Sequence, residues 1–229
     1  MKIDIISVQP KMFEGFLTES IFARAVKKCA CEINIVDLRE FGVGKWRKVD
    51  DKPYGGGPGM LMMCGPWFAA VESRLASGEA PRIVMTSPAG RRFDQRMAEE
   101  LSKCEHLVFM CGHYEGFDAR CRTLATDELS IGDFVMTGGE LAAAAMVDSI
   151  VRLLPGVLGG GPAATASESF GREGLLEAPQ YTHPADFRGM KVPEVLLDGD
   201  HRKADAWRRY EARKLTEKVR PDLLKGESK

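Results

Sequence analysis

Two short apolar runs constrain this chain more than anything else in it. Residues 82–86 (R-I-V-M-T) and 106–111 (H-L-V-F-M-C) have the length of strands and almost no polar interruption. A strand without alternation is covered on both faces, which is the position of a strand in a parallel sheet flanked by helices. Residues 96–102 between them read as a helix, completing a β-α-β unit. The same rhythm precedes it. Residues 2–8 alternate and read as a first strand, 13–30 carry helical spacing, 32–38 (E-I-N-I-V-D-L) read as a second strand, and 67–75 as a helix. Residues 141–154 form an alanine-rich helix, started by Thr137-Gly138-Gly139 and stopped by Pro155. Strands alternating with helices predict an α/β domain on a parallel sheet.

Three segments interrupt this rhythm. Residues 50–60 read D-D-K-P-Y-G-G-G-P-G-M, where dense glycine lets the backbone bend and approach a ligand closely. Residues 159–174 are small and glycine-rich and read as a flexible interdomain linker. Beyond it, residues 204–219 read as a basic helix bearing Trp207 and Tyr210. The expected organisation is therefore a domain over 1–158, a linker over 159–174 and a small helical domain over 175–229. Net charge is −1, yet from His201 onward ten Lys and Arg face five Asp and Glu. That bias suits a partner bearing phosphates, although a solvated helical face with internal ion pairs carries the same composition. The six cysteines form no C-x-x-C pair and the four histidines are scattered, so no metal site is expected. No leader pattern and no apolar run of about 18 residues stand out, which predicts a soluble cytoplasmic protein.

Ligands of open α/β sheets bind beyond the carboxyl ends of strands. Three loops fall at such ends: 86–90 (T-S-P-A-G), 112–118 (G-H-Y-E-G-F-D) and 130–140 (S-I-G-D-F-V-M-T-G-G-E). Each alone suits a structural turn; together they suggest a shared cofactor pocket. No G-x-G-x-x-G opens a helix after the first strand, and no G-x-x-x-x-G-K-[ST] occurs, so dinucleotide and triphosphate sites are unsupported. An apolar, glycine-lined pocket suits an adenosyl group held by main-chain hydrogen bonds.

The segments D-D-K-P-Y-G-G-G-P-G-M, C-G-H-Y-E-G-F-D, S-I-G-D-F-V-M-T-G-G-E, R-L-L-P-G-V-L-G and L-L-D-G-D-H, with W-R-R following, resemble the bacterial tRNA (guanine-N1)-methyltransferases of the SPOUT superfamily. The resemblance covers nearly the whole chain. It implies methyl transfer from S-adenosyl-L-methionine to N1 of guanine 37 in tRNA, and an obligate homodimer with the active site between subunits. It also implies a deep trefoil knot in the parallel sheet, where periodicity alone predicts an ordinary doubly wound sheet. The residues implied to hold the cofactor are Thr86, Ser87 and Pro88; Gly112, Tyr114, Glu115 and Gly116; and Ile131, Gly132, Asp133, Phe134, Val135, Met136, Gly138 and Gly139. Asp50, Gly55 and Gly59 are expected near the target bases, with Lys203, Arg208 and Arg209 on tRNA phosphates.

The resemblance also assigns the chemistry. A base must take the N1 proton as the methyl transfers, and a cation must meet the charge that builds on O6. Arg152, opening R-x-x-P-G, matches the family's arginine for the second role. The family's base is an aspartate, and Glu168 of S-E-S-F stands in its place. His113 is a second departure, since many relatives carry arginine there. Two other readings stay open: a SPOUT enzyme modifying another RNA nucleotide, and a tRNA-binding protein without activity.

Overall fold

A computed structural model describes residues 1–28, 30–75, 80–159, 165, 168–171 and 173–224. The strands of the first part are β1 (Lys2–Ser7), β2 (Glu32–Asp37), a short pair β3 (Asp50–Asp51) and β4 (Leu61–Met62), β5 (Arg82–Arg92), β6 (His106–Met110) and β7 (Asp127–Ser130). Five of them form one parallel sheet in the order β2-β1-β6-β5-β7. The helices are α1 (Glu14–Thr18), α2 (Ser20–Lys27), α3 (Cys64–Leu75), α4 (Gln95–Leu101) and α5 (Glu140–Val151). The core lies on both faces of the sheet. Ile3, Ile5, Leu107 and Phe109 pack with Phe22, Met97, Leu101, Met146 and Ile150 from α2, α4 and α5. Ile6, Val108 and Met110 pack with Trp67, Ala70 and Val71 of α3.

The structure departs from the sequence reading at several points. The helix expected over 13–30 is two helices, broken at Glu19, whose backbone is extended. The Thr18 hydroxyl donates to the carbonyls of Glu14 and Gly15 at 3.1 and 3.3 Å, a local bond that competes with helix propagation. The alternation in β1 does not mean one wet face. Asp4 and Ser7 are fully buried, and each has a partner: His106 at 2.7 Å and Glu140 at 2.7 Å. β5 runs on to Arg92, with a register shift against β7 between Thr86 and Arg91. The S-P-A-G that reads as a turn is a loop-out within a continuing strand.

The chain divides into two compact units, Met1–Gly159 and Gly160–Lys229. The second is not purely helical. It holds the antiparallel hairpin β8 (Asp186–Phe187) and β9 (Met190–Lys191), whose turn residues Arg188 and Gly189 are both left-handed. Its long helix, α6 (His201–Val219), starts three residues earlier than expected because the Asp200 carboxylate caps the amides of Arg202 and Lys203. Residues 160–164, 166–167 and 172 of the expected linker lie outside the described residues. Its later part is hydrogen-bonded, with Phe170 N donating to Leu175 O at 2.7 Å and Glu177 N to Ser169 Oγ at 2.9 Å. Among the described residues, no helix is long and apolar enough to cross a membrane.

Candidate active site

The loop-out within β5 and the loops after β6 and β7 converge on one cavity of about 390 Å³. Every residue expected to hold the cofactor lines it except Asp133. Asp133 points into solvent, 89% exposed, and pairs with Arg92 at 2.6 Å. His113, Phe117 and Ala142 line the cavity as well.

Backbone-on-backbone contact holds the loops together. Gly139 N donates to Gly112 O at 2.7 Å, His113 and Gly138 form a β-bridge, and the Thr86 hydroxyl donates to Met110 O at 3.0 Å. A Cβ on Gly139 would collide with Thr86 Oγ1 and lie 2.9 Å from Gly112 N. A Cβ on Gly138 would lie 2.6 Å from His113 Nδ1. These glycines are required by close approach rather than by φ.

Beneath this contact lies a carboxylate that sequence reasoning missed. Glu140 is 1% exposed in the first turn of α5, where the helix N-terminus favours negative charge. Ser7 Oγ donates to its Oε1 at 2.7 Å, and its Oε2 lies 3.7 Å from His113 Nδ1. Among the described residues, neither Oε2 nor Nδ1 has a hydrogen-bond partner, and the two atoms face each other across that 3.7 Å. The signal was available in the G-G-E that closes the third loop. Elsewhere on the lining, two hydrogen bonds from the Arg120 guanidinium hold the Asp118 carboxyl down at about 2. Burial pushes the neighbouring Cys111 thiol far up, so it is a core residue and no nucleophile. Among the described residues, no three His, Cys, Asp or Glu gather to hold a metal ion.

The glycine segment is tied to this cavity. Asp50 pairs with Met62 across β3 and β4. From there the chain zips onto the loop after β6: Glu115 N donates to Met60 O, Met62 N to Gly116 O, and Asp118 N to Met62 O, all at 2.9 Å. Gly59 is left-handed (φ 78°), and a Cβ there would lie 2.5 Å from Glu115 Cγ. Gly55 is also left-handed, but the space around it is open.

The remaining expected residues lie on other elements. Arg152 is the half-buried C-cap of α5. Glu168 is half-buried in the second unit and borders a cavity of about 390 Å³ that Arg208 and Arg209 also line. Arg208 pairs with Asp205 at 2.8 Å, and Lys203 with Asp198 and Asp200 at 3.7 and 3.6 Å. The internal ion pairs of a solvated helix are thus present on α6. Pairs this exposed are weak.

Residues 1–226 match the family described as tRNA (Guanine-1)-methyltransferase TrmD. The tRNA (guanine-N(1)-)-methyltransferase of Shouchella clausii is 54% identical over 227 residues, covering 99% of this chain and 92% of that protein. That of Geobacillus kaustophilus is 54% identical over 225 residues, 98% and 91% of the two chains. That of Moorella thermoacetica is 52% identical over 227 residues, 98% and 90%.

Proposed function

The chain belongs to the tRNA (guanine-1)-methyltransferase family, and on that premise we propose that it methylates N1 of guanine 37, next to the tRNA anticodon, using S-adenosyl-L-methionine. The observation that carries this reading is the cavity itself. Its wall of glycine backbone, with Ile131, Phe134, Val135 and Met136 beside it, fits an adenosyl group better than a phosphate chain. When bound, S-adenosyl-L-methionine supplies a methyl group activated by a sulfonium centre. The chain's own loops hold adenine and ribose: Thr86 to Pro88, Gly112 to Gly116, and Ile131 to Gly139. We assign them the deep trefoil knot of the SPOUT fold.

Guanine N1 bears a proton and attacks only as that proton leaves. Glu168 takes it as general base. Negative charge then builds on O6, and the Arg152 guanidinium donates to it. Asp50 and the segment from Gly55 to Gly59 border the target base. Lys203, Arg208 and Arg209 meet backbone phosphates and set the register of the RNA. The enzyme acts as a cytoplasmic homodimer with its active site at the subunit interface.

The test is methyl transfer from labelled S-adenosyl-L-methionine to tRNA transcripts that differ only at position 37. Transfer confined to the guanine transcript is expected. Transfer to another nucleotide would assign a different target, and intact binding of cofactor and tRNA without transfer would leave only a binding protein.

A further inference from the structure

Methyl transfer makes no use of the most exposed tryptophan in the chain. Trp46 is 87% exposed at the tip of a hairpin over residues 43–48. That hairpin is tightly built. Val43 N donates to Lys48 O at 2.8 Å and Lys48 N to Val43 O at 3.0 Å, while Arg47 N closes the turn on Gly44 O at 3.1 Å. Arg47, which is not glycine, is left-handed (φ 47°). A Cβ on Gly42 would lie 2.7 Å from Arg47 Cα. Strain in an otherwise ordered turn persists where the surrounding structure fixes it, and such turns cluster at ligand contacts. What this one fixes is an indole held out in water.

The surroundings of the indole select its partner. Lys45 Nζ lies 5.8 Å from the Trp46 ring centroid, and Arg47, Lys48 and Lys52 follow in the chain. Of the two acidic neighbours, Asp51 is occupied by Lys48 at 3.0 Å. An apolar protein partner would desolvate the Lys45 and Arg47 cations without pairing them. An aromatic face with the Lys45 ammonium over it and further Lys and Arg beside it in the chain instead suits an unpaired nucleobase with phosphates on either side. The hairpin also leads directly to the cavity. Met63 N donates to Val49 O at 2.8 Å, joining the base of the hairpin to the strand that zips onto the loop after β6.

We propose that the 43–48 hairpin is an RNA contact, in which Trp46 stacks on an unpaired base of the substrate while Lys45 and Arg47 hold the adjacent phosphates. This rests on the RNA-methylating reading above. The experiment compares the full-length parent with Trp46→Ala and Trp46→Phe, using an unmodified tRNA transcript. Base–aromatic stacking predicts a KM for tRNA raised about 10-fold in the alanine variant, with kcat at saturating RNA within about twofold. The phenylalanine variant recovers most of the loss, and affinity for S-adenosyl-L-methionine is unchanged in both. An unchanged KM and unchanged tRNA binding in Trp46→Ala overturn the proposal and leave methyl transfer standing. A changed sedimentation coefficient for that variant also overturns it, by showing that the indole packs against a second copy. A parent that binds tRNA through Trp46 without methylating it sinks the catalytic reading alone.

Discussion

At the scale of single residues, the sequence marks positions whose reasons lie far along the chain. Gly59 and Gly55 belong to one glycine-rich run, and what separates them lies outside that run. Both are left-handed, but only Gly59 has Glu115 against the place where a Cβ would sit. Gly55→Ala is therefore expected to cost about 1 kcal/mol, the penalty for a side chain in that conformation. Gly59→Ala adds displacement of a cavity-lining carboxylate, and should cost at least about 2 kcal/mol and weaken cofactor binding several-fold. Chemical denaturation and calorimetric titration of the two variants measure the contrast, and equal losses would contradict it. Glu140 is the opposite case, a buried carboxylate whose partners its own G-G-E segment does not name. Its partners, Ser7 and His113, come from β1 and from the loop after β6. Glu140→Gln keeps the Ser7 hydrogen bond and the side-chain volume, so a loss of no more than about 1 kcal/mol is expected. Glu140→Ala strands the Ser7 hydroxyl and opens a void beneath the glycine contact, and about 3 kcal/mol is expected. Thermal unfolding of the pair separates a structural carboxylate from a dispensable one.

At the scale of elements, legibility followed apolar content. The cores of β5 and β6 were plain because Ile83, Val84, Leu107, Val108 and Phe109 are all buried. β7 left no such trace: D-E-L-S has one apolar residue, and its place in the sheet comes from pairing with β5. The far end of β5 was hidden for a related reason. Pairing with Leu129 and Ser130, not side-chain pattern, carries the strand to Arg92. Side chains do pin the start of β5 to its neighbours. Arg82 donates to Asp127 of β7 at 2.6 and 2.9 Å and pairs with Glu100 of α4 at 2.9 Å. Burial pushes the Asp127 carboxyl up, but hydrogen bonds from Arg82 and Thr126 outweigh it and leave it below the ordinary carboxylate range. A carboxylate held down in the folded state stabilises above its unfolded pKa, and that contribution is lost as pH falls through the folded value. Arg82→Met is thus expected to cost about 2 kcal/mol at pH 7, with the gap from the parent closing below about pH 4. Urea unfolding across pH 3 to 8 reads this directly, and a gap independent of pH would assign Arg82 a packing role alone.

At the scale of the whole molecule, no periodicity in one chain reports what a second copy contributes. Two of the loops that meet at the cavity were legible because they follow the ends of β6 and β7, and strand ends of one sheet are neighbours by construction, whereas the 86–90 segment lies inside β5. Arg152 and Glu168 have no such relation, since they belong to different compact units of the chain. An active site at the subunit interface, as proposed, predicts that Arg152 of one copy works in trans with Glu168 of the other. Mixing inactive variants tests that assignment. Arg152→Ala and Glu168→Gln each lose a group that acts in the transition state, so each is expected to lose at least about 100-fold in kcat. Cofactor affinity should stay within about twofold, because neither residue lines the cavity. When the two proteins are mixed and exchange subunits, every heterodimer has one site carrying both lesions and one carrying neither. Random exchange of equal amounts makes half the dimers mixed, so about a quarter of the parental activity should return. If both groups came from the same copy, each site of a heterodimer would carry one lesion and no activity would return. Recovery that tracks the heterodimer fraction, resolved by mass difference after tagging one variant, would fix the trans arrangement. Silence after demonstrated exchange would move Arg152 and Glu168 into one copy.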